Sequence, residues 1–361
     1  MSDFSVQVLR LDSVEPHPNA DRLDIAQIGG YRSIVPKNTY RTGDLVIYIP
    51  ESAVVPQWLM EDQGLVGMLS GSQKNRVRPV RLRGIFSEGI VVPLTVLEKV
   101  DDISAVLGIA KYEPPVPTHM AGQVGALHGY TRSYDFENIK RHPYLFDDTD
   151  NVVLTEKLHG TFIEAGWCAD IKPREDLFGD GRVFVTSKGL AGGGKYLKNV
   201  PENDDNLYVK TLLANELNVK LPNLAEEYGL RRVYVFGEVF GDVQDLKYGC
   251  SPGQTKMRVF DIYTESRTYE GFSGVSGLNH FASELGLEIV PTVTSGPWSA
   301  VRPLLTSYTN GNSILAPGQI REGVVIKTTV ETYHPRYGRK IAKSISEDYA
   351  MRKGHNLTEL Q

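Results

Sequence analysis

Asn151-Val152-Val153-Leu154-Thr155-Glu156-Lys157-Leu158-His159-Gly160-Thr161 reads as a short apolar strand that ends on a lysine and gives way to a glycine turn. A lysine placed there projects its amine from a strand end, where it can react. An isolated lysine in a loop is ordinarily solvated charge, so the weight given to Lys157 depends on what the rest of the chain brings to it.

Further apolar strands follow: GRVFVTS (181–187), RVYVFGEVFG (232–241), MRVFDIY (257–263) and GVVIKTTV (323–330). They alternate with helix-like VKTLLANELNVKL (209–221) and FSGVSGLNHFASELGL (272–287), which indicates an α/β or α+β domain with substantial sheet. Towards the amino terminus, FSVQVLRLDSV (4–14), DRLDIAQIGGYRSIV (21–35), GDLVIYIP (43–50) and GIVVPL (89–94) read as short strands separated by turn clusters, the pattern of a small barrel. YEPPVPTHMAGQV (112–124) is proline-rich and marks the boundary. The expected organisation is therefore a barrel over 1–115, a Pro-rich linker and connecting segment over 116–145, and a second domain over 146–361.

The composition excludes whole classes. At 361 residues, 41% hydrophobic and 23% charged, the chain is neither disordered nor fibrous. Thirty-nine basic against 44 acidic residues, a net charge of −5, give no global attraction for nucleic acid, so a polyanion must be held by local clusters. Cys168 and Cys250 are too few for a disulfide scaffold or a cysteine zinc site, and a reduced cytosol is expected. The start MSDFSVQVLRLDS lacks the pattern of a signal peptide, and no stretch approaches the roughly 20 apolar residues of a membrane span. A soluble, cytoplasmic protein without a membrane partner is expected.

The later strands give Lys157 company. Glu238 stands between apolar strand residues, where a carboxylate seldom goes without a partner or metal. Glu322 and Lys327 flank another apolar run, and Lys340 and Lys343 follow. For each glutamate singly, a strand-edge salt bridge is as good a reading. Jointly they describe a cleft for a nucleoside triphosphate and a divalent cation.

Glu156-Lys157-Leu158-His159-Gly160, Ser187-Lys188-Gly189, Phe236-Gly237-Glu238, Arg258-Val259-Phe260-Asp261, Glu322-Gly323-Val324-Val325-Ile326-Lys327 and Lys340 to Lys343 resemble, in order, the motifs of the covalent nucleotidyltransferases, which include ATP-dependent polynucleotide ligases and capping enzymes. The histidine and glycine after the lysine are similar to RNA ligases more than to DNA ligases. The resemblance implies an α+β two-domain protein whose carboxy-terminal domain is an ATP-grasp-like antiparallel sheet. It implies that Lys157 takes AMP from ATP as a lysyl-adenylate, passes it to a 5′-phosphate, and that a 3′-hydroxyl then displaces AMP. Ordinary lysine, with a pKa near ~10.4, is almost wholly protonated at neutral pH, so neighbouring cations are needed to free the amine.

By the same resemblance Glu156, His159, Gly160 and Lys188 contact nucleotide, with His159 orienting rather than acting as a base. Glu238 contacts ribose or metal, Glu322 helps hold Mg²⁺ or Mn²⁺, Phe260 stacks on adenine, and Lys327, Lys340 or Lys343 neutralise phosphate. A buried core aromatic is the simpler reading of Phe260 taken alone. The family's last motif commonly has two lysines one residue apart. Here Ile341 and Ala342 separate Lys340 from Lys343, and if Lys343 takes the second position, Ile341 takes the first.

Val14-Glu15-Pro16-His17-Pro18-Asn19-Ala20-Asp21-Arg22-Leu23, with Gly43-Asp44-Leu45-Val46 and Arg83-Gly84-Ile85-Phe86-Ser87-Glu88-Gly89, resembles the tRNA-binding type of OB-fold. KNRVRPVRLR (74–83) adds Lys74, Arg76, Arg78, Arg81 and Arg83, a stripe able to track phosphates, though a solvated basic strand explains it nearly as well. Tyr31, Tyr40 and Tyr48 read equally as base-stacking or barrel-packing residues. Gly189-Leu190-Ala191-Gly192-Gly193-Gly194-Lys195-Tyr196 nearly spells a P-loop but has Tyr196 where Ser or Thr must hold Mg²⁺.

The expected function is an ATP-dependent RNA ligase acting in end or nick repair. Its expected partner is RNA, as a nicked duplex or as 3′-hydroxyl and 5′-phosphate ends, templated by DNA or RNA or not, and the protein is expected to be a monomer. The alternatives are a DNA nick ligase, a GTP-using capping-type transferase, and a non-catalytic OB-fold RNA-binding protein.

Overall fold

The computed structural model describes residues 4–112 and 120–352. Among them, 4–112, 137–144 and 347–352 form one compact unit, and 120–136 with 145–346 the other. This differs from a barrel, a linker and a second domain in series. Residues 120–145 contribute to both units, and residues 347–352 belong with the amino-terminal one. Pro114, Pro115 and Pro117 of the expected linker lie outside the described residues.

In the amino-terminal unit the strands are β1 (Gln7–Arg10), β2 (Ser13–Pro16), β3 (Leu23–Ile28), β4 (Tyr31–Pro36), β5 (Leu45–Ile49), β6 (Val80–Leu82), β7 (Ile85–Ser87) and β8 (Ile90–Pro93). They pair as β1-β5-β8, β2-β3-β4 and β6-β7. The run Val46-Ile47-Tyr48-Ile49 is continuously buried because β5 is covered on both faces. Val46 and Tyr48 meet Ala26, Ile28 and Val35, while Ile47 and Ile49 meet Val92 and the helix Gln57–Asp62 through Leu59 and Met60. Tyr40 and Tyr48 are buried, and Tyr31 stacks on Tyr48 at 5.1 Å, so all three serve barrel packing.

The second unit contains β9 (Val124–Ala126), β10 (Asn151–Lys157), β11 (Thr161–Cys168), β12 (Val183–Ser187), β13 (Lys195–Leu197), β14 (Arg232–Gly241), β15 (Thr255–Glu265), β16 (Glu270–Phe272), β17 (Thr292–Pro297), β18 (Gly323–Thr328), β19 (Tyr333–His334), β20 (Gly338–Arg339) and β21 (Ile341–Ile345). An antiparallel sheet of order β17-β10-β18-β21 carries Lys157, and a second of order β12-β11-β14-β15-β16 carries Glu238. Alternation along the second sheet separates two cores. Ile163, Ala165, Val233, Val235 and Val239 meet the helices Leu207–Ala214, Leu217–Tyr228 and Gly274–Glu284. Phe162, Phe184, Tyr234, Phe236 and Tyr263 face the other way, packed with Ile341 and Val325 of the first sheet.

On β15 the alternation breaks. Val259 and Ile262 both face the helices although three residues apart, because the register against β14 slips between Phe236 and Gly237 and leaves Phe260 as the extra residue of a bulge. Phe260 and Asp261 are thereby both available to the aromatic side. No described helix is long and apolar enough to cross a membrane. Cys168 and Cys250 are both free thiols.

Glu164 on β11 is fully buried, and both its oxygens accept the Arg132 N–H, at 2.9 and 3.2 Å. Burial pushes its carboxyl up to about 8. The folded chain therefore keeps a proton that the unfolded chain gives up from pH 4.5 upward, so the associated stability is present below that pH and is lost as pH rises towards 8. In Glu164→Gln the difference in denaturant-measured stability between pH 5 and pH 8 should shrink by about 3 kcal/mol.

Candidate active site

Antiparallel partners share a sheet face, so the register of the first sheet sorts its lysines. Lys157 lies beside Gly323, Val325 lies between Thr155 and Lys343, and Lys327 between Val153 and Ile341. Lys157, Lys327 and Lys343 therefore stand on one face. Lys340 precedes Ile341 and falls on the other, where its ammonium donates to Asp147 and Asp150, each at 2.6 Å. Burial works against that charge, but the two carboxylates prevail and the lysine is held above its ordinary range. Lys340, expected as one of the phosphate contacts, thus stands on the other face from Lys343 and has its charge met by Asp147 and Asp150. Lys343 stands on β21, across β18 from the strand of Lys157 and on the same face as that lysine, with Ile341 in the preceding place on that face.

At the strand end Lys157 donates to the buried Glu322. His159 is equally buried: its backbone N–H donates to the Tyr248 hydroxyl at 2.6 Å, Nε2 lies 2.5 Å from Asp245, and Nδ1 lies 3.8 Å from Glu322. These contacts fix the loop that follows Lys157. Gly160 is required by space, since a Cβ there would come within 2.1 Å of the Val239 carbonyl oxygen. The same glycine hydrogen-bonds through its backbone to the Glu238 carboxylate.

Glu238 is pushed up to about 7, first by burial and then by the charge of Glu322, against the opposing pull of Lys157 and His159. Two carboxylates forced together beside a lysine form an arrangement that a divalent cation relieves. Among the described residues no three His, Cys, Asp or Glu side chains gather into a cation cage. The donor set fits Mg²⁺ or Mn²⁺ held by two carboxylates with the remaining positions left to phosphate oxygens and water.

Phe260, half-buried, sits 5.2 Å from Tyr134 and 6.1 Å from Phe162 in the aromatic cluster that also packs Val325. The bulge turns it to this side. Lys327 is buried, donates to the Phe260 carbonyl at 2.9 Å and lies 3.5 Å from Asp261. Burial lowers its pKa, with Asp261 opposing. Asp261, with no exposure, also accepts from the Tyr134 hydroxyl at 2.7 Å and from Arg339 at 2.6 Å. Burial would raise its carboxyl, yet Lys327 and Arg339 hold it below the usual range.

Other expected residues are placed differently. Glu156 shares the far face with Val324 and Leu154, and accepts the Ile314 N–H at 2.8 Å; its other oxygen is buried without a hydrogen-bond partner. It braces the loop after residue 310 rather than standing beside the Lys157 amine. Lys188 opens the short helix Lys188–Ala191 and pairs with Asp135 at 3.3 Å. Gly192, Gly193 and Gly194 line an open cavity of about 380 Å³ with His128, Thr131 and Ser133. Lys195 then begins β13 rather than a helix, which removes the P-loop reading.

In the amino-terminal unit the basic stripe is not uniform. Arg76 is buried with its guanidinium 4.1 Å from the Tyr112 ring centre, and Arg81 pairs with Glu347 at 3.3 Å. Burial and the neighbouring Arg76 and Arg352 lower the pKa of Arg78. Lys74 and Arg83 sit in the left-handed region, at φ 53° and 48°, in turns.

Sequence reasoning missed Tyr134, Arg339 and Asp245, and gave Asp261 no role although it closes the motif Arg258-Val259-Phe260-Asp261. Tyr134 lay inside the expected connecting segment, and Arg339 and Asp245 carry no spacing signal linking them to Lys157.

A family model described as RNA ligase matches residues 150–345. An OB-fold domain model matches residues 5–94. No curated protein matches the chain. Among solved structures the chain is similar to an apo mutant of Naegleria gruberi RNA ligase, with a TM-score of 0.77 at 19% identity, covering 97% of this chain and 98% of that one. The same ligase with PPi gives 0.76 at 18% identity over 97% and 98%. A further mutant with ATP and Mn gives 0.75 at 18% over 96% and 98%. At this identity the likeness establishes the fold.

The two lysines separate experimentally. Lys343→Ala should slow transfer of nucleotide to the protein by about a hundredfold, the scale of losing one charge-stabilising contact. Lys340→Met should lower the melting temperature while leaving that rate within about threefold of wild type, because its partners are Asp147 and Asp150. Rapid-quench labelling and thermal melts on both variants distinguish them.

Proposed function

Starting from the fact that the chain belongs to the RNA ligase family, we propose that it is an ATP-dependent RNA ligase that joins 3′-hydroxyl and 5′-phosphate ends through a lysyl-adenylate, in the repair of broken or nicked RNA. The observation that carries this reading is the convergence of Lys157, Glu238 and Glu322 at one strand end, on the face that also bears Lys327 and Lys343.

In the first step the neutral Lys157 amine attacks the α-phosphorus of ATP. A nitrogen–phosphorus bond forms, the bond to the bridging oxygen of pyrophosphate breaks, and the amine loses its proton. Glu322 aligns the amine beforehand through its hydrogen bond, and His159 fixes the following loop through Tyr248 and Asp245. Lys343, across β18 on the same face as Lys157, offsets phosphate charge. Phe260, presented by the bulge, offers its ring to adenine, with Val325 in the same cluster. Glu238 and Glu322 are the residues that would hold the divalent cation, whose chemistry is to offset charge on phosphate oxygens.

In the second step an oxygen of the RNA 5′-phosphate takes AMP from Lys157, restoring the amine. In the third, the 3′-hydroxyl attacks that 5′-phosphate and AMP leaves. Each is a phosphoryl transfer in which positioning and charge neutralisation matter more than a protein acid or base. The OB-fold unit is suited to hold the RNA, through its exposed basic residues rather than through Arg76.

The test is intact mass after mixing wild type and Lys157→Ala with ATP and Mg²⁺. Wild type alone should gain one AMP, roughly 329 Da from the nucleotide formula; EDTA should abolish the gain, and GTP should not replace ATP. Label retained only from GTP would point to a capping-type transferase. No adduct from either nucleotide, with RNA binding unchanged in Lys157→Ala, would favour the non-catalytic RNA-binding alternative.

A further inference from the structure

Between the strands that carry Lys327 and Lys343 the chain makes a detour through the β19–β20 hairpin, with Tyr333 opposite Arg339 and His334 opposite Gly338. Its sequence, Val330-Glu331-Thr332-Tyr333-His334-Pro335-Arg336-Tyr337-Gly338-Arg339, is rich in rings and cations. Val330 is 73% exposed and Tyr333 61%. Two cross-strand pairs do not hold a hairpin by themselves, and here anchors at both ends do so.

At the base, Arg339 donates to both carboxylate oxygens of Glu331, at 2.5 and 2.9 Å, and to Asp261, and its guanidinium lies 3.7 Å from the Phe272 ring centre. At the tip, His334 Nδ1 accepts the N–H groups of Arg336 and Tyr337, at 3.1 and 3.3 Å. The His334 ring stacks on Tyr337 at 4.6 Å and 20°, with the Arg336 guanidinium 5.4 Å from the same ring. Glu331 is taken up at the base, which leaves Arg336 as the cation displayed at the tip. The result is an anchored surface on which the exposed Tyr333 ring and the half-buried His334–Tyr337 stack stand beside the exposed Arg336.

We propose that this hairpin is a stacking platform for one or two unpaired ribonucleotides flanking the join, a deepening that rests on the RNA ligase reading. Tyr333 and the His334–Tyr337 pair take base faces, and Arg336 takes a backbone phosphate. Rings stack readily on bases that have lost their own neighbours, whereas bases inside a duplex are already stacked. The hairpin leads directly from the Lys327 strand to the Lys343 strand, and its root Arg339 shares Asp261 with Lys327, which ties it to the sheet whose one face bears Lys157, Lys327 and Lys343.

The experiment uses the full chain as wild type, Tyr333→Ala, Tyr333→Phe and Arg336→Ala, with adenylylation by ATP and sealing of a pre-adenylylated RNA strand measured separately. Two RNA substrates are compared, one with unpaired nucleotides at the join carrying 2-aminopurine and one a fully paired nick. Adenylylation should stay within about twofold of wild type in every variant, which also shows that each is folded. On the unpaired substrate KM should rise about tenfold in Tyr333→Ala, with loss of 2-aminopurine quenching, and return to the wild-type value in Tyr333→Phe. Arg336→Ala should reduce the salt slope of binding by about 0.7, the share of one single-strand phosphate. The paired nick should be indifferent to all three changes. Unchanged KM and quenching in Tyr333→Ala, with adenylylation normal, overturn the platform and leave the ligase reading standing. Absence of the AMP adduct from every protein, wild type included, overturns the ligase reading itself.

Discussion

Asp261 is a carboxylate with no exposure that holds three donors at once: the Lys327 ammonium, the Arg339 guanidinium and the Tyr134 hydroxyl. Burying such a group is costly unless its charge is met, and removing any one partner would leave charge stranded inside. The three donors come from β18, from the root of the β19–β20 hairpin and from the segment before β10, so one buried charge sets where three stretches of chain must lie. Phe260 comes into place with it, since the bulge that aims Asp261 inward also frees the preceding ring from the alternation of the strand. Much of the packing around Phe260 and Lys327 follows from meeting that single electrostatic demand.

A good part of this was legible in the sequence. The apolar runs gave the strands, because burial on one face or both writes itself into period-two or continuous patterns. The residues next to the chemistry, Lys157, Glu238 and Glu322, stood out because charge beside apolar strand residues needs a reason. Two kinds of information were hidden. One is parity: a reading by alternation places Phe260 and Asp261 on opposite faces, and only the register slip against β14 reverses that. The other is partnership across sequence distance, since nothing near residue 147 announces that Asp147 and Asp150 neutralise Lys340. The sequence therefore left Lys340 and Lys343 equivalent, and the register with β18 is what puts them on opposite faces.

The basic stretch 74–83 teaches the same lesson from the other side. Five cations in ten residues look like one surface, yet Arg76 lies under Tyr112 and Arg81 is engaged by Glu347. A charge count cannot separate cations that hold the fold from cations left for a ligand. In the hairpin between Lys327 and Lys343 the accounting runs the opposite way, because Glu331 is absorbed at the root while Arg336 and the Tyr333 ring stay exposed.

The division of the chain into units carries a consequence for how such a protein can be altered or inherited. The catalytic unit is not a bead after a barrel: residues 137–144 interrupt it, and residues 347–352 belong with the amino-terminal unit. A single crossover between two genes, or one truncation after residue 115, cannot transfer it intact, because each would sever segments from the body they fold with. Exchange with other modules would need several coordinated breakpoints, so the two units are expected to travel through descent as one indivisible inheritance.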